Sequence, residues 1–172
     1  RLTEALSEAA EGKWFVGAAN LGDVGDILAY LRGIQALCID LIEGPRERME
    51  RTRDQVLDLS LVFYDELTAI VNTRMQGGAS WLGVWSPRRT ATLQCDFSCM
   101  VSPQTFSEFF VPTIARQALA VDHVIYHLDG PDAIRHLDTL LGLPRLHMIQ
   151  WVPGSGAEGA AHARWRPLVR RI

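Results

Sequence analysis

His127 and Asp129 are the pair whose types and spacing most invite chemistry in this chain. They lie in Val124-Ile-Tyr-His-Leu-Asp-Gly130, where β-branched and aromatic residues predict a strand. In extended backbone, residues i and i+2 share one face, so imidazole and carboxylate would meet the same ligand. Three readings fit. Asp129 caps the helix opened by Pro131 while His127 bonds a neighbour, or the pair faces a substrate, or both bind a metal such as zinc. Zinc accepts imidazole nitrogen and carboxylate oxygen but needs a further donor. Asp96 stands between Cys95 and Phe97. A carboxylate beside apolar surface keeps its proton to higher pH, so Asp96 reads as a general base or substrate-orienting group, with an ordinary loop aspartate as the plain alternative. Asn20 and Gln150 mark two more strand ends, and Trp151 is the tryptophan expected to face a ligand because it follows Gln150. Cys95 and Cys99 have the wrong spacing for a zinc knuckle and read as small buried apolar residues. His123, His136, His147 and His162 read as structural or solvated.

These residues need a scaffold that brings strand ends together. Val121–Gly156 reads as strand, helix, strand: Ala133, Ile134, Leu137, Leu140 and Leu141 recur at helical spacing, Gly142 and Pro144 stop the helix, and Met148–Val152 is a second apolar run. Such a unit joins two parallel strands by a right-handed crossover. Lys13–Ala19, Ala79–Trp85 and Thr90–Cys95 are further expected strands, with one of the last two an excursion outside the sheet. Helices are expected at Leu2–Glu11, from Asp23 to Gly33, over Ile34–Ile42 and over Pro45–Met75. In the last, Val56, Leu59, Phe63, Leu67, Ile70 and Arg74 predict the buried stripe, and its mixed charges predict a solvated face. Ser102-Pro103 opens another helix, kinked at Pro112. The pattern predicts an α/β fold with a parallel sheet, whose carboxyl-end mouth collects Asn20, Asp96, His127, Asp129 and Gln150.

Composition sets the outer bounds. With 172 residues, 48% hydrophobic, 22% charged and a net charge of −3, nothing favours nucleic acid or an anionic membrane as partner. No apolar run reaches the roughly 20 residues that span a bilayer. Three cysteines without scaffold spacing predict a reduced, cytoplasmic protein. The chain opens on Arg1 and ends on Ile172 inside helix-like segments, so a piece of a longer protein is expected.

Gln94-Cys95-Asp96-Phe97-Ser98, followed by Ser102-Pro103-Gln104-Thr105-Phe106-Ser107-Glu108-Phe109-Phe110-Val111-Pro112, resembles the Asp…Ser-Pro…Phe…Glu-Phe…Pro block of the uroporphyrinogen decarboxylase family. Ile125–Gly130 and Ile149-Gln150-Trp151 fall at two later strands of that family, and Leu37–Arg53, with Asp40, Gly44 and Pro45, resembles its helix pair. The resemblance implies a (β/α)8 TIM barrel, of which residues 1–172 would be one partial domain truncated at both ends, since a whole barrel takes about 250 residues. It implies one of two chemistries. Decarboxylases act on a tetrapyrrole without cofactor, using amino-terminal arginines and an aspartate. Corrinoid-dependent methyltransferases hold zinc with a His-x-Cys and a later Cys. His127 matches that histidine, Asp129 stands where the cysteine would be, and Gln150 stands where decarboxylases tend to have Asp. Asp96 is closer to the methyltransferases, whereas Asp129-Gly130 is similar to the decarboxylase Asp-Gly. The expectation is a divergent methyltransferase-like enzyme acting with a corrinoid or small methylated substrate. Asp96, His127 and Asp129 would be catalytic, Asn20, Gln150 and Trp151 would contact substrate, and His127 with Asp129 would hold any zinc. Porphyrin-pathway decarboxylation and a non-catalytic module for a corrinoid protein are the alternatives.

Overall fold

The computed structural model describes residues 1–17 and 19–172. Its centre is a three-stranded parallel sheet of β3 (Thr90–Gln94), β4 (His123–Asp129) and β5 (Met148–Val152), in that spatial order. The β4–β5 crossover is as the sequence predicts, and it passes through a 3-10 segment (Pro131–His136) and α7 (Leu137–Leu141). Strand alternation sends Leu93, Val124, Tyr126, Leu128, Ile149 and Trp151 into the core shared with the helices. Thr90, Thr92, Gln94, His127, Asp129 and Gln150 therefore project from the opposite face.

Upstream lie α1 (Leu2–Ala10), α2 (Val24–Arg32), α3 (Ile34–Glu43) and the long α4 (Arg46–Asn72). The predicted helix over Pro45–Met75 forms, but its buried face is rotated from the expected one. Leu57, Ser60 and Val71 are buried, whereas Leu59 and Phe63 are 59% and 53% exposed. Two apolar stripes run along this helix, and tertiary packing chose the one carrying Leu57, Leu61 and Tyr64. The strand expected over Lys13–Ala19 is absent from the described part of that segment, and Ala18 lies outside the described residues. Ala79–Trp85 is an excursion, as one of the two runs was expected to be: β1 (Gly78–Ala79) pairs antiparallel with β2 (Trp85–Ser86) in a separate ribbon.

Ser102 caps the next helix, its Oγ accepting the Thr105 N–H at 3.1 Å. The helix begins as α5 (Pro103–Thr105), widens into a π-turn over Phe106–Phe110, and continues as α6 (Val111–Leu119). Pro112 has no N–H to give, so the distortion falls on the turn before it, where Phe106, Phe109 and Phe110 are all fully buried. A 3-10 turn (Ala163–Trp165) and α8 (Arg166–Val169) end the chain. Among the described residues, no helix is long and apolar enough to cross a membrane.

One glycine records how tightly α2 meets this core. A Cβ on Gly25 would lie 2.6 Å from Cys95 Sγ and 3.2 Å from the Phe110 ring. Gly25→Ala should therefore destabilise the fold by about 1–3 kcal/mol through overpacking, although alanine is the better helix former by about 1 kcal/mol. The check is urea denaturation of G25A beside G25A/C95A, where removing the sulfur should restore part of the loss.

Candidate functional site

Parallel pairing places Gln94, His127 and Gln150 side by side across the three strands. Two residues further along, Asp96 opens the 3-10 segment Asp96–Met100 and Asp129 ends β4. One donor atom from each of Asp96, His127 and Asp129 falls within 4.8 Å of the others. The His127 Nδ1 is hydrogen-bonded to Gln150 Oε1; with a carbonyl-type acceptor there, Nδ1 carries the proton and Nε2 keeps its lone pair. The Trp81 ring stands edge-on to the imidazole, centroids 5.1 Å apart.

A second tier of polar groups fixes the rim. Gln94 Nε2 donates to Asp96 Oδ2 and to Asp26 Oδ2, both at 3.3 Å. Asn20 Nδ2 donates to Gln94 Oε1 at 3.1 Å. Asp26, buried at the start of α2, also accepts the Phe97 N–H at 2.8 Å and so anchors the segment that carries Asp96. Asp96 itself reaches solvent, but the protein mass around it raises its carboxyl above the usual range. Asp26 and Asp129 push in the same direction, and His127 opposes them.

The sequence reading of Asp129 as a helix cap is corrected: Gly130 occupies the cap position and no side chain caps that turn. Asp129 Oδ1 is buried and has no hydrogen-bond partner within the protein. Trp151 is also corrected. It projects from the core face of β5, 8% exposed, with its ring 5.1 Å from Trp165. The parity of the strand explains this: if Gln150 faces the rim, its neighbour cannot. His136 takes the structural of its two expected roles: it is 1% exposed, with Nε2 bonded to the Ser98 carbonyl at 2.9 Å. Cys95 is buried, and desolvation followed by Asp23 and Asp26 pushes its thiol well up, which suits a packed residue rather than a thiolate. Sequence reasoning missed Gln94, Asp26 and Trp81. Gln94 was open to discovery, since it precedes Asp96 by two positions as His127 precedes Asp129.

Comparison with protein-family models, with characterised proteins and with solved structures finds no match to this chain.

Proposed function

We propose that this chain forms part of the catalytic rim of a uroporphyrinogen decarboxylase-like (β/α)8 barrel, a methyltransferase-type member acting with a corrinoid or a small methylated compound. The observation that carries this reading is the convergence of Asp96, His127 and Asp129 at the carboxyl ends of β3 and β4. Parallel-stranded enzymes gather their chemistry at that end.

The donor set tests well against zinc. One imidazole nitrogen and two carboxylate oxygens are acceptable ligands, three protein donors leave a position open, and the unpartnered Asp129 oxygen lacks a bonding partner within the protein. When bound, zinc would supply Lewis acidity and lower the pKa of a thiol or water placed at that open position. Gln150 would hold the His127 ring in its ligating tautomer, Gln94 would steer one oxygen of Asp96, and Trp81 would wall one side of the imidazole. Asp129 in place of a thiolate makes the set harder, so manganese and ferrous iron should compete with zinc better than at a cysteine site.

Isothermal titration of the purified protein with zinc, then manganese, tests the reading. One equivalent of zinc should bind. Gln150→Leu should weaken binding by roughly 10–100-fold, the usual effect of losing an outer partner, and His127→Ala should weaken it further. Zinc binding that His127→Ala leaves untouched, or no binding at all, would overturn the proposal.

A further inference from the structure

A solvent-open cleft runs along the edge of β3 that is unpaired among the described residues, between that strand, α4 and the segment leading into α2. Three side chains lining it hold a buried oxygen without a hydrogen-bond partner: Asp23 Oδ2, Thr92 Oγ1 and Gln117 Oε1. Asp23 is 2% exposed and Gln117 9%. Native interiors rarely leave buried polar atoms unpaired, and the Asp23 carboxyl oxygen among them favours a cationic donor. The described lining contains no Lys, Arg or His, and Asp23 is its one ionisable carboxyl. Tyr64 and Trp81 add aromatic surface, the setting in which ammonium groups are recognised.

We propose that this cleft binds a small alkylammonium ion, with its charge toward the Asp23 carboxyl and its methyl groups against Tyr64 and Trp81. The cleft adjoins the metal-binding rim, since Gln94 lines it and also bonds Asp96, and Trp81 lines it and also meets His127. The proposal names a substrate class for the methyl-transfer reading and rests on that reading for the reaction, though not for the binding. Burial drives the Asp23 carboxyl up, so the empty cleft disfavours the bare anion. An anionic ligand such as a polycarboxylate tetrapyrrole finds no counter-charge in this lining.

Three probes that share a three-methyl head but differ in charge decide the matter by calorimetry on the intact chain: trimethylammonium, tert-butanol and pivalate. Trimethylammonium should bind at least tenfold more tightly than tert-butanol, and pivalate should give no heat. Asp23→Asn should remove at least tenfold of the trimethylammonium affinity while zinc titration stays unchanged. Asp129→Ala should do the reverse, so failure of the metal site and failure of the cleft are separable. Should Asp23→Asn fold poorly, Trp81→Leu provides the second variant and should weaken trimethylammonium more than tert-butanol. Equal or tighter binding of tert-butanol or pivalate, cation binding indifferent to both variants, or no binding of any probe would overturn the proposal.

Discussion

Phe110→Ala is expected to lower the unfolding free energy by about 3–5 kcal/mol, the range for deleting a buried aromatic ring. Phe110 is fully buried, meeting Phe97 at 5.8 Å and Phe109 at 5.0 Å between centroids, both edge-on. The α2 backbone at Gly25 closes over it so tightly that no Cβ fits there. A cavity at this place has rigid walls on several sides and cannot collapse cheaply. The loss should also reach the rim, because Phe97 follows Asp96 directly and its N–H is held by Asp26. Phe63→Ala is the matched control. Its ring is 53% exposed on α4, and a surface change of that kind falls within about 0.5 kcal/mol. Urea denaturation of both variants measures the contrast. Equal losses would mean that Phe63, as the sequence pattern suggests, belongs to the buried stripe.

That contrast shows where the sequence was informative. Hydrophobic spacing located α4 to within a few residues but not its rotation, because the helix carries two apolar stripes and only the neighbouring sheet chooses between them. The β4–crossover–β5 unit was legible from turn chemistry and apolar runs, and with it the shared face of His127 and Asp129. Asp96 joined them through register, since the pairing of Gln94 with His127 follows from both strands being parallel and in step. Trp151 failed for a reason equally open to sequence, strand parity, whereas Asp23 and Asp26 were hidden. Each reads as an ordinary helix-start carboxylate, and nothing local tells that α2 packs its first turn against Cys95 and Phe110 and leaves Asp26 to accept the Phe97 amide. The strand predicted over Lys13–Ala19 had the right composition, yet strand formation depends on a partner edge as well as on propensity, and Trp14–Gly17 make no ladder.

Asp23→Asn is expected to stabilise the protein at pH 7 while weakening the cleft. Asp23 is buried at the N-cap of α2, where one oxygen accepts the Val24 N–H and the other has no partner. Desolvation raises its carboxyl well above the usual value, Asp26 adds to the rise, and the backbone N–H groups of Val24 and Gly25 oppose it. Asparagine caps a helix as well as aspartate does and keeps the Val24 bond. It forgoes the favourable charge at the helix N-terminus, about 0.3–1 kcal/mol. Against this it removes the cost of burying an ionisable carboxyl, about 1–3 kcal/mol, although its Nδ2 inherits the unpartnered place of Oδ2, so a net gain of about 1 kcal/mol follows. The pH dependence has a fixed sign. Because the folded-state pKa lies above the unfolded one, Asp23's contribution is fully present below the unfolded pKa of about 3.9 and is lost as pH rises through the folded value. The advantage of Asp23→Asn should therefore be smallest below the unfolded pKa of about 3.9, grow as pH rises, and level off above the folded-state pKa of Asp23. Urea melts of both proteins at several pH values, each starting from a folded baseline, would show it. A variant less stable than the parent at pH 7 would mean that the carboxylate is ionised and satisfied in the fold. A variant that is more stable yet blind to trimethylammonium would show that the chain retains a strained carboxyl for what it binds, the trade between stability and function expected of a ligand site.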